Sequence, residues 1–264
     1  MKKIISFSLM ALAASAFTIK AETYKFDTPN SWRRSKEFKL TADGALQTQY
    51  SGKVDVSSSI LVDPEKSYKI SLKIRLAAGS KPSLVYLLTM PSSEEGRAIY
   101  MYNVTPVKGS DGVLAADCKK TDTFIMVKPN SRRHWAPIRS WRVNFNSAED
   151  FSDLPNFETS SQLDKIEDAA DGNIKVSFRG KAEVDAKAGT PVRLTQGGAY
   201  MYVGSSKPTE QWTEISGTVK GISSDGWSNT VFPVGTAAFT PSLLANWGTK
   251  GSVIEIKDFK VEEL

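Results

Sequence analysis

The stretch Tyr68-Lys-Ile-Ser-Leu-Lys-Ile-Arg-Leu76 constrains this chain more than any other. Apolar residues fall at 68, 70, 72, 74 and 76, and each residue between them is Lys, Ser or Arg. Strict period two puts every apolar side chain on one face of an extended strand, so the segment predicts a sheet with one buried side. Ile174-Lys-Val-Ser-Phe178 repeats the pattern, and Asp171-Gly172 ahead of it is a hairpin turn signal that makes residues 163–169 its partner. Further strands are expected at Leu84–Leu88, Ile99–Val104, Phe124–Val127, Val192–Leu194 and Ile215–Ile222. No window after the first twenty residues holds a convincing helical period.

The last strand carries a defect. Ile254 and Ile256 lie on one phase and Phe259 and Val261 on the other. A bulge at Lys257-Asp258 keeps both halves facing one core and turns the Asp258 carboxylate aside. With Val261 three residues from the C-terminus, this strand is expected to close a sheet. Many strands with turns between them and few helices predict an all-β two-sheet sandwich of the jelly-roll kind, one domain over 22–264 with long loop insertions. Asn144–Gln162, polar and acidic, reads as the main insertion loop, its Glu149, Asp150, Asp153 and Glu158 as solvated charge.

Lys2 and Lys3 precede an uncharged apolar run from Ile4 to Phe17, with small residues at the sites that follow. This is the layout of a secretory signal peptide over 1–21, cleaved after Ala21. The expected location is periplasmic, cell-surface or extracellular, with no membrane span after cleavage. Without Lys2, Lys3 and Lys20 the 34 basic residues fall to 31, against 29 acidic, a net of +2. The basic sequence is therefore no argument for nucleic acid as a partner. One Cys and one His exclude a disulfide framework, a Cys-based zinc site and a multi-His metal site. Cys118 reads as a small buried residue, with intermolecular pairing the less favoured alternative. No phosphate-binding glycine loop or Gly-x-Ser-x-Gly elbow is present.

Three segments resemble a known family. Val62-Asp-Pro-Glu-Lys-Ser-Tyr-Lys-Ile-Ser-Leu72, Trp212-Thr-Glu-Ile-Ser-Gly-Thr-Val-Lys220 and Ile254-Glu-Ile-Lys-Asp-Phe-Lys-Val261 are similar, in order, to signature strands of galactose-binding-like jelly rolls. Among these the secreted carbohydrate-binding modules of the family 4 and family 9 type are the nearest pattern. The resemblance implies a galactose-binding-like sandwich, a polysaccharide or glycan as partner, and a structural calcium ion between the first and closing strands. Asp258 matches the closing aspartate of that pattern, and Asp27 is the early partner it nominates.

Sugar rings stack on aromatic faces, which directs attention to tryptophan. Trp227 lies in a turn-rich loop, Trp135 and Trp141 flank another, and these three are the candidate platform, with Trp212 assigned to packing. Tyr200 and Tyr202 share a strand face and line either a groove or, as the preferred reading, a core ridge. Arg132-Arg133-His134-Trp135 mixes cations with the only histidine: Arg133 is a candidate grip for an acidic glycan, and His134 for a proton carrier. Asn103-Val-Thr105 has the form of a glycosylation sequon. The leading expectation is a secreted, non-catalytic carbohydrate-binding protein. An envelope interaction protein with the same fold is the second, and a lyase-like enzyme working through Arg132–Trp135 the third.

Overall fold

The computed structural model describes residues 21–136, 138, 140–224 and 226–264; the expected leader, apart from Ala21, lies outside them. The chain before the insertion forms β1 (Thr23–Lys25), β2 (Lys39–Leu40), β3 (Leu46–Thr48), β4 (Gly52–Asp55), β5 (Ile60–Leu61), β6 (Ser67–Leu76) and β7 (Val85–Ser92). One helical turn, α1 (Met101–Val104), follows. Next come β8 (Gly112–Leu114), β9 (Phe124–Pro129), β10 (Arg142–Phe145), β11 (Leu163–Asp168), β12 (Ile174–Phe178) and β13 (Pro191–Thr195). The chain then returns with β14 (Met201–Ser206), β15 (Thr213–Lys220), β16 (Ala238–Ala245) and β17 (Ile254–Glu263).

Eight strands build an antiparallel sandwich. One sheet runs β15-β6-β17-β3 and the other β14-β7-β16-β4. First pairs with last throughout: β3 with β17, β4 with β16, β6 with β15, β7 with β14. That nesting is the jelly roll. The alternation in β6 does what period two requires, with Tyr68, Ile70, Leu72, Ile74 and Leu76 all buried between the sheets. Trp32 stacks on Phe259 at 5.3 Å and donates its indole N–H to the Phe26 carbonyl at 3.2 Å. The Tyr68 hydroxyl accepts from the Asp63 amide at 2.7 Å and donates to the Leu61 carbonyl at 3.2 Å, which ties down the turn ahead of β6. Gly217, in the second signature segment, sits where the edge strands approach: a Cβ there would lie 2.3 Å from the Val203 carbonyl oxygen.

The bulge in β17 is present. Its register against β6 slips between Lys257 and Lys260, and Asp258 takes a positive φ of 54°. Ile254, Ile256, Phe259 and Val261 are all buried, as the phase change demands. The strand lies inside its sheet: β6 flanks one side, while β3 and then β1 share the other.

The insertion between β7 and β14 is not mainly loop. It forms a six-stranded sheet, β10-β13-β8-β9-β12-β11. Its ends are joined, because the Leu163 amide donates to the Trp141 carbonyl, Ser160 to Val143, and Phe145 to Glu158. The sheet thus curls into a small barrel around a second core that includes Trp135, Val143, Phe145, Ile174, Val176 and Leu194. The reading of 22–264 as one sandwich does not anticipate this core. The acidic loop also differs from expectation. Asp153 is nearly buried and pairs with the buried guanidinium of Arg193 at 2.5 Å, so its charge is structural. Residues 99–104, expected as a strand, enter α1 instead, and the sequon asparagine is buried: Asn103 accepts from the Tyr100 amide and donates to the Asn156 carbonyl, both at 2.8 Å.

Candidate functional site

The tryptophans expected to form a platform do not come together. Trp135 is fully buried in the barrel, because a large apolar ring fills the core better than any other residue of its segment. Trp141 is half-buried against the same core, and Trp227 is half-buried against the sandwich core. Arg133 sits in the β9–β10 connection, where its Nε donates to His134 Nε2 at 2.8 Å.

Asp27 and Asp258 do come together. Both line a cavity of about 290 Å³ on the outer face of the β15-β6-β17 sheet. Their chemistry does not fit a hard cation, which takes six or more oxygen ligands. Asp27 Oδ1 accepts from the Phe259 amide at 2.9 Å and so caps the bulge. Asp258 pairs with Lys73 at 2.9 Å, which holds its carboxyl below the usual range. Lys25, Lys69, Lys73 and Lys260 surround them. Among the described residues no cluster of three His, Cys, Asp or Glu side chains is placed to hold a metal.

The other sheet presents the groove. On its outer face Asp55, Ser242, Leu88 and Tyr202 are register partners, one on each of β4, β16, β7 and β14. Ser242 and Leu88 are fully buried, so the middle of that row is covered and only its ends, at Asp55 and Tyr202, reach the surface. Tyr202 itself is 40% exposed and so is not part of a core ridge. It packs edge-on against Tyr86 at 5.2 Å and Tyr200 at 6.2 Å.

Two cavities adjoin on this side of the molecule. The first, about 280 Å³, is lined by Arg33, Lys53, Asp55, Ser59, Met90, Ser92, Tyr100 and Thr240 among others. The second, about 340 Å³, is lined by Arg97, Tyr102, Asn103, Phe157 and Thr159, and shares Ala98 and Tyr100 with the first. Together they form one groove, floored by the sandwich and continued between its 97–103 segment and the barrel. Tyr100 stacks on Tyr102 at 5.1 Å and 21°. The barrel braces that pair from behind: the Arg142 guanidinium lies 4.1 Å from the Tyr102 ring, and burial raises the Tyr102 phenol above its ordinary pKa. Phe157 faces Arg97 at 3.8 Å. Rigid aromatic rings beside a few fixed polar groups are what an orienting ligand site requires.

Sequence reasoning missed Tyr100, Tyr102, Arg97, Phe157, Arg33, Lys53 and Asp55. One signal was there to find. Tyr-Met-Tyr occurs twice, at 100–102 and 200–202, once on each side of the barrel. The two copies adjoin, since a Cβ on Gly198 would lie 2.8 Å from the Met101 sulfur.

No family model matches the chain, and no curated protein matches it. Among solved structures it is similar to the CBM22-1 xylan-binding domain of Xyn10C from Paenibacillus barcinonensis. The identity is 11%, 92% of each chain is covered, and the TM-score is 0.37. The two superpose loosely, and the jelly-roll assignment rests on the strand pairing above. That domain carries a family 22 name, not one of family 4 or 9.

Proposed function

We propose that this is a secreted, non-catalytic protein that binds a polysaccharide along the groove between the β4-β16-β7 sheet face and the barrel. The observation that carries the reading is that two cavities meet at one tyrosine. Tyr100 belongs to both, is stacked on Tyr102, and is flanked by hydroxyl, amide and charged groups. A chain of sugar rings offers C–H faces to the aromatic side and hydroxyls to the polar side. Two adjoining cavities that share Tyr100 offer room for more than one sugar ring. Tyr86, Tyr200 and Tyr202 form a separate aromatic cluster on the same sheet, outside both cavities.

Binding without hydrolysis is the better reading for a chemical reason. A glycosidase of the usual kind needs two carboxyl groups flanking one bond. The residues lining the two cavities include one, Asp55, and it is committed to Lys53 at 2.7 Å and to the Ser242 hydroxyl at 2.6 Å. The test is a glycan array followed by titration calorimetry on residues 22–264. Tyr100→Ala is expected to weaken a hit by roughly 10- to 30-fold, the effect of losing one anchoring ring of about 1.4–2 kcal/mol. Trp135→Phe and Trp141→Phe are expected to leave affinity unchanged. A blank array would move the weight to an envelope interaction protein, and a hit indifferent to Tyr100 would overturn this groove as the site.

A further inference from the structure

We infer that the groove is built for an anionic glycan, one that carries carboxylate or sulfate groups on successive sugars. The inference rests on the glycan reading above and adds the charge of the ligand. The lining groups include three cations, Arg33, Lys53 and Arg97, against the single carboxylate of Asp55. Asp55 cancels Lys53, taking its ammonium at 2.7 and 2.9 Å. The two arginines remain, one in each of the two cavities that share Tyr100.

Neither arginine has a carboxylate within ion-pair distance among the described residues. Arg33 is held at the groove by its backbone, whose amide donates to the Asp55 carbonyl at 3.0 Å, and its side chain is exposed. Arg97 is pre-positioned by stacking, with its guanidinium 3.8 Å from the Phe157 ring centre. Glu95, on the same turn, accepts from the Ser93 hydroxyl at 2.7 Å and keeps its charge. That bond, with a smaller contribution from Arg97, holds its carboxyl below the usual range, so Arg97 is partly offset without being ion-paired and Arg33 is the freer of the two. A guanidinium stacked on its face keeps its in-plane N–H groups for a ligand, and those groups match the paired oxygens of a carboxylate or sulfate. The groove therefore offers an anion contact, a stacking ring and a second anion contact in sequence. A neutral polysaccharide would use the ring and leave both charges idle.

The experiment is titration calorimetry on residues 22–264 with matched polymers. Polygalacturonate is compared with its methyl ester, and a sulfated galactan with its desulfated form, at 20 and 150 mM NaCl. At least one charged polymer is expected to bind tenfold or more tightly than its neutral partner, with affinity falling as salt rises. Arg33→Gln and Arg97→Gln are each expected to weaken the charged polymer about fivefold or more and to leave the neutral one unchanged. Tyr100→Ala weakens both. The arm that responds tells carboxylate from sulfate. Equal binding of neutral and charged forms, with both arginine variants silent and Tyr100→Ala still damaging, overturns the anionic inference and leaves the glycan reading standing. Absence of binding to all four polymers and across a neutral glycan array overturns both.

Discussion

Two aromatic residues end in places opposite to what their sequence surroundings suggest. Trp135 follows two arginines and a histidine and precedes a proline-containing loop, yet it is fully buried, while Tyr100 lies among apolar neighbours and faces a cavity. Exposure is set by which core a ring can reach, and a linear window does not contain that. Arg193 makes the same point with charge. It sits between Val192 and Leu194, is 1% exposed, and is neutralised by Asp153 from a loop forty residues earlier. Removing one member of a buried pair strands the other, so Asp153→Ala is expected to cost about 3–5 kcal/mol in urea denaturation, with Asp150→Ala near zero. Cys118 is buried, and desolvation pushes its thiol pKa up to about 11. The fold therefore favours the neutral thiol. Stability from this group is complete below pH 9 and falls as pH rises toward about 11, which melts across that window should record. Iodoacetamide at pH 8 is expected to label it slowly in the native protein and fast in urea.

Among the elements, β17 is the one most fully read in advance. The phase change between Ile256 and Phe259 cannot be accommodated without an extra residue, so a bulge follows from the pattern alone. What the pattern could not supply is the partner, Asp27, whose carboxylate caps the Phe259 amide. Asp27→Ala is expected to cost about 1–2 kcal/mol, because it leaves a partly buried N–H unpaired. Asp258→Gly should be neutral or slightly stabilising, and Asp258→Val should cost about 1–3 kcal/mol, since φ is positive there and a β-branched residue resists it. The Lys73–Asp258 pair is half exposed on both sides and adds little to either figure. By contrast, residues 99–104 differ from the strand expected. A short apolar run with β-favouring Tyr and Val looks the same in a strand and in one helical turn. The Tyr100 amide bond to Asn103 Oδ1 is local, but the bond Asn103 donates to the Asn156 carbonyl, which holds that turn in place, is tertiary.

At the scale of the whole molecule, the described residues form two hydrophobic cores, and the protein should unfold accordingly. Trp135 and Trp141 report on the barrel and Trp32 on the sandwich. Denaturation followed by fluorescence in single-tryptophan variants is expected to give two midpoints, and one shared midpoint would mean that the junction couples the cores. That junction is polar and specific: Thr195 Oγ1 donates to the carbonyls of Tyr102 and Thr105, each at 2.9 Å, and Asn103 and Asn156 exchange bonds. The same contacts brace the groove's central tyrosines, so ligand is expected to raise the barrel's midpoint as well as the sandwich's.

Period two in β6, β12 and β17, and the turn signals between strands, were enough for an all-β sandwich and even for its one large bulge, because burial on one face leaves its mark residue by residue. The barrel was partly legible as strands but not as a second core, since strand pairing by itself does not say which strands share an interior. The groove was not legible. Arg33, Asp55, Tyr100, Arg97 and Phe157 come from four separate stretches of chain, and only the return of β16 beside β4 and β7, with the barrel folded against α1, sets them side by side. A sequence records what each segment must bury, whereas a site depends on which segments meet, and that is decided by the packing of the whole chain.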